Sequence, residues 1–211
     1  MATLNQILLD SSAVLDLSGS IPTGDELTLR KNYANQALED AAATGQFPEF
    51  TTEYSLYTTG SKQVSLAGFR ELVVNPRALS TTGWKEFSEV ELINREDAVA
   101  DGEDFCYITG NPQAGYVANF SANLVAGMSL SVIYQRYPSG MPSLTSVCEL
   151  SDPTYVTRKI ESYVLYSRGD DRFQTAEARA NAVLLNMTGR KMKGTGGQYR
   201  TTQAGFENPL S

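Results

Sequence analysis

The sequence predicts an α+β protein. We expect an antiparallel helical bundle, formed by N- and C-terminal helices, with an inserted β-sandwich or barrel-like region and an extended C-terminal tail. Apolar residues recur at helical spacing in residues 1–49 and again in residues 151–189. Residues 50–150 instead alternate with period two between turn residues, and residues 190–211 have no periodicity. The 211 residues are enough to bury a core of this kind.

The N-terminal part, residues 1–49, predicts two helices of the bundle. The first covers residues 4–17, and Ser-Gly-Ser-Ile-Pro ends it. The second begins at Thr23, because Thr-Gly-Asp-Glu has the spacing of a capping box, and it ends at Gly45. The apolar face of this second helix consists mainly of small residues, which predicts a close approach to another helix.

The middle part, residues 50–150, predicts short strands connected by turns, an arrangement typical of a sandwich or barrel. The candidate strands are 53–58, 63–66, 71–74, 89–93, 105–109, 116–120 and 129–137.

An acidic stretch lies inside this region, with eight acids between Lys85 and Asp104. Asp97, Asp101, Glu103 and Asp104 form an acidic loop whose carboxylates suit a hard cation. The loop lacks the alternation and the closing glutamate of an EF-hand, so we interpret it as a solvated turn and predict no metal.

The C-terminal part predicts a helix pair followed by a basic arm. Asp152 and Pro153 cap the first helix, 153–168, and the second, 171–188, is closed by Gly189. The arm, residues 190–211, cannot bury enough surface to order alone. The residues expected to pack the two helices together are Ile160, Val164, Phe173, Ala180 and Leu184.

The residues that usually carry catalysis are missing from the chain. It contains no histidine, which excludes His-dependent triads and His-bearing zinc sites, and it has no phosphate-binding loop. Cys106 and Cys148 are too far apart for a zinc ligand set and are expected to be buried free thiols. Trp84 is interpreted as a core or rim residue rather than a sugar platform. We therefore predict that the protein is not an enzyme and needs no cofactor. A hydrolase with paired carboxylates stays open, but nothing specific favours it.

Charge and hydropathy limit the classes of partner. The net charge of −7 gives the chain as a whole no electrostatic reason to seek nucleic acid. No apolar run is long enough to span a membrane, and the N-terminus lacks the pattern of a signal peptide. The acidic middle and the basic arm are complementary, so the chain can attract a copy of itself or an acidic partner.

Three segments carry a resemblance to a known family. They are Tyr-Gln-Arg-Tyr-Pro at 134–138, Leu-Thr-Ser-Val-Cys-Glu-Leu-Ser-Asp-Pro-Thr-Tyr at 144–155, and Tyr-Val-Leu-Tyr-Ser-Arg-Gly-Asp-Asp-Arg-Phe-Gln-Thr-Ala-Glu-Ala-Arg-Ala-Asn at 163–181. Together they resemble the C-terminal part of head-to-tail adaptor proteins of tailed bacteriophages, the connectors that include tail tubular adaptors. The local match, which runs from Tyr134 to Met187, covers about a quarter of the chain.

This resemblance implies a virion structural protein of the neck or tail, synthesised in the bacterial host cytoplasm. It implies a ring, usually dodecameric, beneath the portal protein, which joins the portal to a tail tube, nozzle or fibre protein. During ejection DNA passes through the channel without sequence-specific binding, and the β region faces either the channel or the next tail component. Two alternatives remain: another neck or tail-tube component, or a carbohydrate- or receptor-binding β module. The portal-binding arm implied for this chain comprises Arg190, Lys191, Lys193, Tyr199, Arg200, Phe206 and Leu210.

Overall fold

A computed structural model describes residues 1–16 and 18–192, and this part of the chain has an α+β fold. The helices are α1 (Leu4–Leu15), α2 (Gly24–Thr44), α3 (Arg95–Ala100), α4 (Thr154–Ser167) and α5 (Phe173–Met192). Short 3₁₀ turns occupy Pro48–Phe50 and Leu92–Asn94. The strands are β1 (Thr51–Tyr57), β2 (Gln63–Leu66), β3 (Phe69–Leu72), β4 (Arg77–Ser80), β5 (Gly83–Glu86), β6 (Ser88–Glu89), β7 (Phe105–Asn111), β8 (Gly115–Phe120) and β9 (Ser129–Arg136).

The predicted fold class is wrong in the arrangement of its helices. The helices are spread through the N-terminal, middle and C-terminal parts of the chain, and they do not form a terminal antiparallel bundle. α3 lies inside the β region, between β6 and β7. At the ends of the chain, α1, α2 and α5 each pack against α4, whereas α1 and α2 contact each other much less.

Burial around α4 explains why a bundle does not form. A helix in a bundle buries one stripe and leaves the opposite face to solvent. α4 instead buries residues on several faces, polar ones included, because three helices surround it. The buried residues of α4 are Tyr155, Val156, Thr157, Lys159, Ile160, Glu161, Ser162 and Val164.

The start of α2 also differs from the prediction. Thr23 precedes the helix but its side chain makes no capping hydrogen bond, so the capping box is not formed. Glu26 pairs instead with Arg30, whose Nε lies 2.7 Å from Glu26 Oε1. The Arg30 guanidinium is buried and also contacts Ser12 and Asp16, which fixes the end of α1 against α2.

The β region consists of two sheets that share one core. β9 is central in the first sheet, which has the order β1-β9-β4-β5 with β3 also paired to β9. The second sheet has the order β2-β8-β7-β6, and its β6–β7 pair is parallel while the other pairs are antiparallel. Leu130 and Val132 from the first sheet and Cys106 and Ala118 from the second belong to the same buried cluster, so the sheets pack face to face.

A separate apolar cluster lies under the helices, and it includes Leu8, Leu38, Ile160 and Leu184. Among the residues described, no helix is both long and apolar enough to cross a membrane.

Candidate functional site

The predicted basic arm falls almost wholly outside the described residues. Lys193, Tyr199, Arg200, Phe206 and Leu210 lie there, and the portal-binding role remains a prediction. The backbone at Arg190 and Lys191 belongs to α5, which continues through Gly189 to Met192. The predicted end of the helix at Gly189 is therefore wrong, because one glycine inside a helix costs only about 1 kcal/mol relative to alanine.

Four of the five residues predicted to join the helix pair are brought together. Ile160 and Val164 of α4 and Ala180 and Leu184 of α5 are buried in one cluster. Phe173 is half-buried at the start of α5, where its ring meets the ring of Tyr166 edge-on with 5.2 Å between centroids.

A buried polar network that the sequence analysis missed also connects these helices. Lys159 of α4 is only 8% exposed, and its Nζ lies 2.7 Å from Glu177 Oε1 of α5 and 3.5 Å from Asp40 Oδ2 of α2. Ser162 Oγ donates to Glu177 Oε2 at 2.8 Å, and the Tyr163 hydroxyl donates to Asp40. The network therefore fixes three helices relative to one another.

The electrostatics of the network match this structural role. Partial burial tends to raise the pKa of Asp40, but hydrogen bonds from Tyr163 and Gln36 and the charge of Lys159 lower it below the usual value. Burial, together with the hydrogen bond to Asp40, raises the pKa of the Tyr163 hydroxyl. The carboxylate is thus held in its charged form and the phenol in its neutral form.

The predicted acidic loop is only partly a loop. Asp97 lies in α3, Asp101 caps its C-terminal end, and Glu103 and Asp104 lead into β7. Asp97, Asp101 and Glu103 are exposed, whereas Asp104 is half-buried with its Oδ1 3.7 Å from Lys85 Nζ. Within the described residues, no three His, Cys, Asp or Glu side chains converge in a way that would hold a metal ion.

A groove of about 480 Å³ lies between α3 and the outer face of the second sheet. Phe105 and Tyr107 of β7 point to this outer face, since the alternate residue Cys106 points into the sandwich core. Their rings stack with centroids 6.4 Å apart and planes 24° apart. Four charged residues also line the groove: Lys62, Arg95, Glu96 and Glu103.

Ser121 lines one wall of this groove, directly after β8. Its backbone N–H donates to the Phe105 carbonyl at 2.9 Å, so its position is fixed by the sheet. The residue is 7% exposed, yet its Oγ has no hydrogen-bond partner. A buried hydroxyl without a partner costs about 1–3 kcal/mol, so a folded chain that retains one calls for an explanation.

A different feature occupies the outer face of the first sheet. The register places Tyr57 of β1 opposite Ser129, Ser129 opposite Leu79 of β4, and Leu79 opposite Trp84 of β5. Tyr57 is 70% exposed, Trp84 is 64% exposed, and Leu79 is also exposed. We call Tyr57, Leu79 and Trp84 the aromatic row. Trp84 is accordingly a surface residue and not a core residue.

A second group of exposed apolar residues belongs to the acidic segment. Leu92 and Ile93 of the 3₁₀ turn and Val99 of α3 are all exposed, and Ile93 reaches 84%. They lie among Glu91, Glu96 and Asp97 in the chain. We call Leu92, Ile93 and Val99 the acidic-segment patch.

The groove was missed in the sequence analysis although a signal for it exists. Phe105-Cys-Tyr-Ile108 is apolar on both faces of its strand, a pattern that indicates a strand covered on both sides. In the structure the sandwich core lies on one side of β7, and α3 with the groove lies on the other.

Comparison with protein-family models gives no match for this chain, and comparison with curated proteins gives none.

Proposed function

We propose that this protein is a virion structural protein, a head-to-tail adaptor that forms a ring beneath the portal and joins it to the tail. The proposal rests on the resemblance of residues 134–138, 144–155 and 163–181 to that family. The structural observation that carries it is the aromatic row, because its large apolar side chains are left uncovered by the residues that the structure describes. Exposed apolar surface of this kind is typical of a site where another protein docks.

The occupant of the row that we propose is a second copy of the chain. Beside the row, Arg77 pairs with Glu86 directly opposite it, with Arg77 Nη2 3.0 Å from Glu86 Oε2, so these two charges offset each other. The surface that we propose to meet the row on the second copy is the acidic-segment patch, the other group of exposed apolar residues described above. The two surfaces differ, so the contact between them is head-to-tail, and contacts of this type generate rings when the rotation closes.

The helix pair and the arm would supply the portal contact. Lys159 and its partners give α4 and α5 a fixed geometry, and the arm begins in the last turn of α5 and continues beyond it in sequence. Four of those residues are basic and one is acidic, so the arm suits an acidic partner surface. Acidic side chains such as Asp97 and Asp101, placed along a channel, would repel DNA and let it pass without binding. No step of this role needs a catalytic group.

Mass measurement of the purified full-length protein tests the proposal. We expect a ring, alone or after addition of the portal protein encoded in the same genome, by native mass spectrometry and particle imaging. Trp84→Ser should weaken the ring, whereas Leu185→Ser should not, because Leu185 is an exposed apolar residue on α5, away from the row. A chain that stays monomeric and does not bind the portal would refute the adaptor.

Deletion of residues 190–211 tests the role of the arm in portal binding separately from ring formation. We expect the truncated protein to keep its helical circular dichroism and to lose portal binding. A truncated protein that still binds the portal would remove the arm from the proposal. Binding to a tail-tube protein in place of the portal would favour the alternative of another neck or tail-tube component. Binding to a glycan array would favour the alternative of a carbohydrate- or receptor-binding β module.

A further inference from the structure

We propose that the free edge of β1 pairs with β1 of a second copy, antiparallel about a two-fold axis at Ser55, so that two chains share one continuous sheet. β1 is an end strand of the first sheet, and among the described strands only β9 pairs with it. An end strand presents a row of backbone N–H and C=O groups without partners, which is a template for another strand. The proposal goes beyond the ring, because it assigns a second surface of the chain to contact between copies.

β1 lacks the features that usually protect an edge strand. Natural edge strands are short, or they carry proline, lysine or a bulge. β1 has seven residues in unbroken register with β9, and its sequence Thr-Thr-Glu-Tyr-Ser-Leu-Tyr contains neither proline nor lysine. The other end strands are shorter, since β2 and β5 have four residues each and β6 has two. The edge of β1 is therefore the one best suited to pairing.

The pairing with β9 shows which backbone groups of β1 are free. Glu53 lies opposite Ile133, whose carbonyl accepts a hydrogen bond of 3.0 Å from the Val73 N–H on the other side of β9. Backbone groups alternate in direction along an antiparallel strand, so those of Glu53, Ser55 and Tyr57 point away from β9. Each of these three residues can exchange two backbone hydrogen bonds with a residue of a second β1.

The charge of Glu53 selects the register of the pairing, because Glu53 is the one charged residue of β1. With Tyr54 on the two-fold axis, the Glu53 residues of the two copies would be diagonal neighbours about 7–8 Å apart, where like charges repel. With Ser55 on the axis, the same two residues lie four positions apart along the strand, at about 14 Å. That distance exceeds the Debye length of about 8 Å at physiological salt. This register also uses all three free residues, since Glu53 lies opposite Tyr57 of the second copy.

The side chains on the core side of the sheet also suit this register. Leu56 packs against the sandwich core and lies opposite the buried Leu130 of β9, so Tyr54 and Leu56 point to the core side. Tyr54 is 39% exposed at the edge, and in the proposed pair it lies opposite Leu56 of the second copy. Large apolar side chains directly opposite each other stabilise an antiparallel pair. The pairing therefore buries apolar surface in addition to forming backbone hydrogen bonds.

The pairing and the proposed ring contact use different groups of the same strand. The ring contact uses side chains on the outer face of the sheet, the pairing uses backbone groups at its edge, and Tyr57 belongs to both. The pairing is therefore measured in the Trp84→Ser variant, which removes an aromatic side chain of the ring contact from β5 and leaves β1 unchanged. We expect this full-length variant to reach twice the mass of one chain in sedimentation equilibrium over a concentration series.

Two further substitutions at Ser55, each made in the Trp84→Ser variant, test the role of the backbone. Ser55→Pro removes the N–H that points away from β9 and keeps the hydrogen bonds between β1 and β9. It should reduce the mass to that of a single chain without changing the circular dichroism spectrum. Ser55→Ala is the matched control, because it keeps the N–H, and it should retain the doubled mass.

Cysteine cross-linking in the same variant tests the register. Ser55→Cys places two thiols opposite each other with Cα atoms about 5.5 Å apart, within the range of a disulfide. The control is Ser131→Cys, because Ser131 lies opposite Ser55 on β9. In the pair of chains the two copies of residue 131 are separated by three strand spacings, about 14 Å, which no disulfide spans. Mild oxidation should link the chains of Ser55→Cys and leave those of Ser131→Cys separate.

Three results would overturn the pairing. They are a single-chain mass of Trp84→Ser at every concentration, a doubled mass that persists in a folded Ser55→Pro variant, and equal cross-linking of the two cysteine variants. If Ser55→Pro does not fold, the cysteine pair decides. A ring in the parent chain together with a single-chain mass of Trp84→Ser overturns the pairing alone. A parent chain that forms the cross-linkable dimer and no ring supports the pairing and counts against the ring alone.

Discussion

Replacement of Lys159 by methionine gives the sharpest test of what stabilises the helical part. Methionine keeps an unbranched stem of similar length and removes the ammonium group that lies between Glu177 and Asp40. The carboxylates of Asp40 and Glu177 then both lose the cation that they contact in the folded protein. The ammonium also lies 4.8 Å from the centre of the Tyr163 ring, and that attraction is lost as well.

The expected loss follows from the burial of each partner. Removal of one member of a fully buried ion pair costs about 3–5 kcal/mol. Lys159 is 8% exposed, but Glu177 and Asp40 are 35% and 32% exposed, so water relieves part of the cost. Ser162 and Tyr163 continue to donate to these carboxylates. We therefore expect Lys159→Met to lower the free energy of unfolding by about 2–3 kcal/mol.

Urea unfolding followed by circular dichroism measures this loss. The control is Arg172→Met, since Arg172 is 77% exposed where it pairs with Asp170 and such a surface pair contributes about 0–1 kcal/mol. The double variant Lys159→Met with Glu177→Gln should recover part of the loss, because one of the two unpaired charges is then removed. The reasoning is refuted if Lys159→Met and Arg172→Met destabilise the protein equally.

Three further predictions concern acid stability, thiol reactivity and one turn. The pKa of Asp40 is lower in the folded protein than its ordinary 3.8, so the contribution of Asp40 to the free energy of unfolding is present above pH 3.8 and is lost as pH falls below it. Asp40→Asn should therefore flatten the plot of unfolding free energy against pH between about pH 2 and 5, and an unchanged slope of that plot would contradict this. Burial raises the pKa of Cys106 to about 12 and also raises that of Cys148, so an aromatic disulfide reagent should label neither thiol in the folded protein and both in urea. Gly110 has a φ of +114°, and a Cβ at this position would overlap the backbone of β8. Gly110→Ala should therefore lower the free energy of unfolding by more than about 1 kcal/mol. The control is Gly19→Ala, which should change this free energy little because a Cβ at Gly19 would meet no other atom.

Helices with strong local signals could be predicted from the sequence. α1, α2, α4 and α5 all occur near their predicted positions, because apolar spacing and breakers such as Pro22 are local properties of the chain. Strands with clean alternation, such as β9, were also found. The α+β class depends only on such signals, and for that reason it agrees with the structure.

The packing of the helices could not be predicted by the same means. Lys159 and Glu161 of α4 look like solvent-facing residues in the sequence, yet both are buried. Lys159 is accommodated because Asp40 and Glu177 lie beside it, and Glu161 because Arg158 pairs with it at 2.8 Å. Asp40 is more than a hundred residues away along the chain, so no local pattern indicates that α4 is surrounded.

Short elements were missed for a different reason. Residues 89–93 were expected to form a strand, but most of them lead through the 3₁₀ turn into α3. α3 has only six residues, too few for its apolar spacing to repeat. β4 and β5 have four residues each and expose Leu79 and Trp84 on the outer face, so they lack the buried alternation by which a strand is recognised.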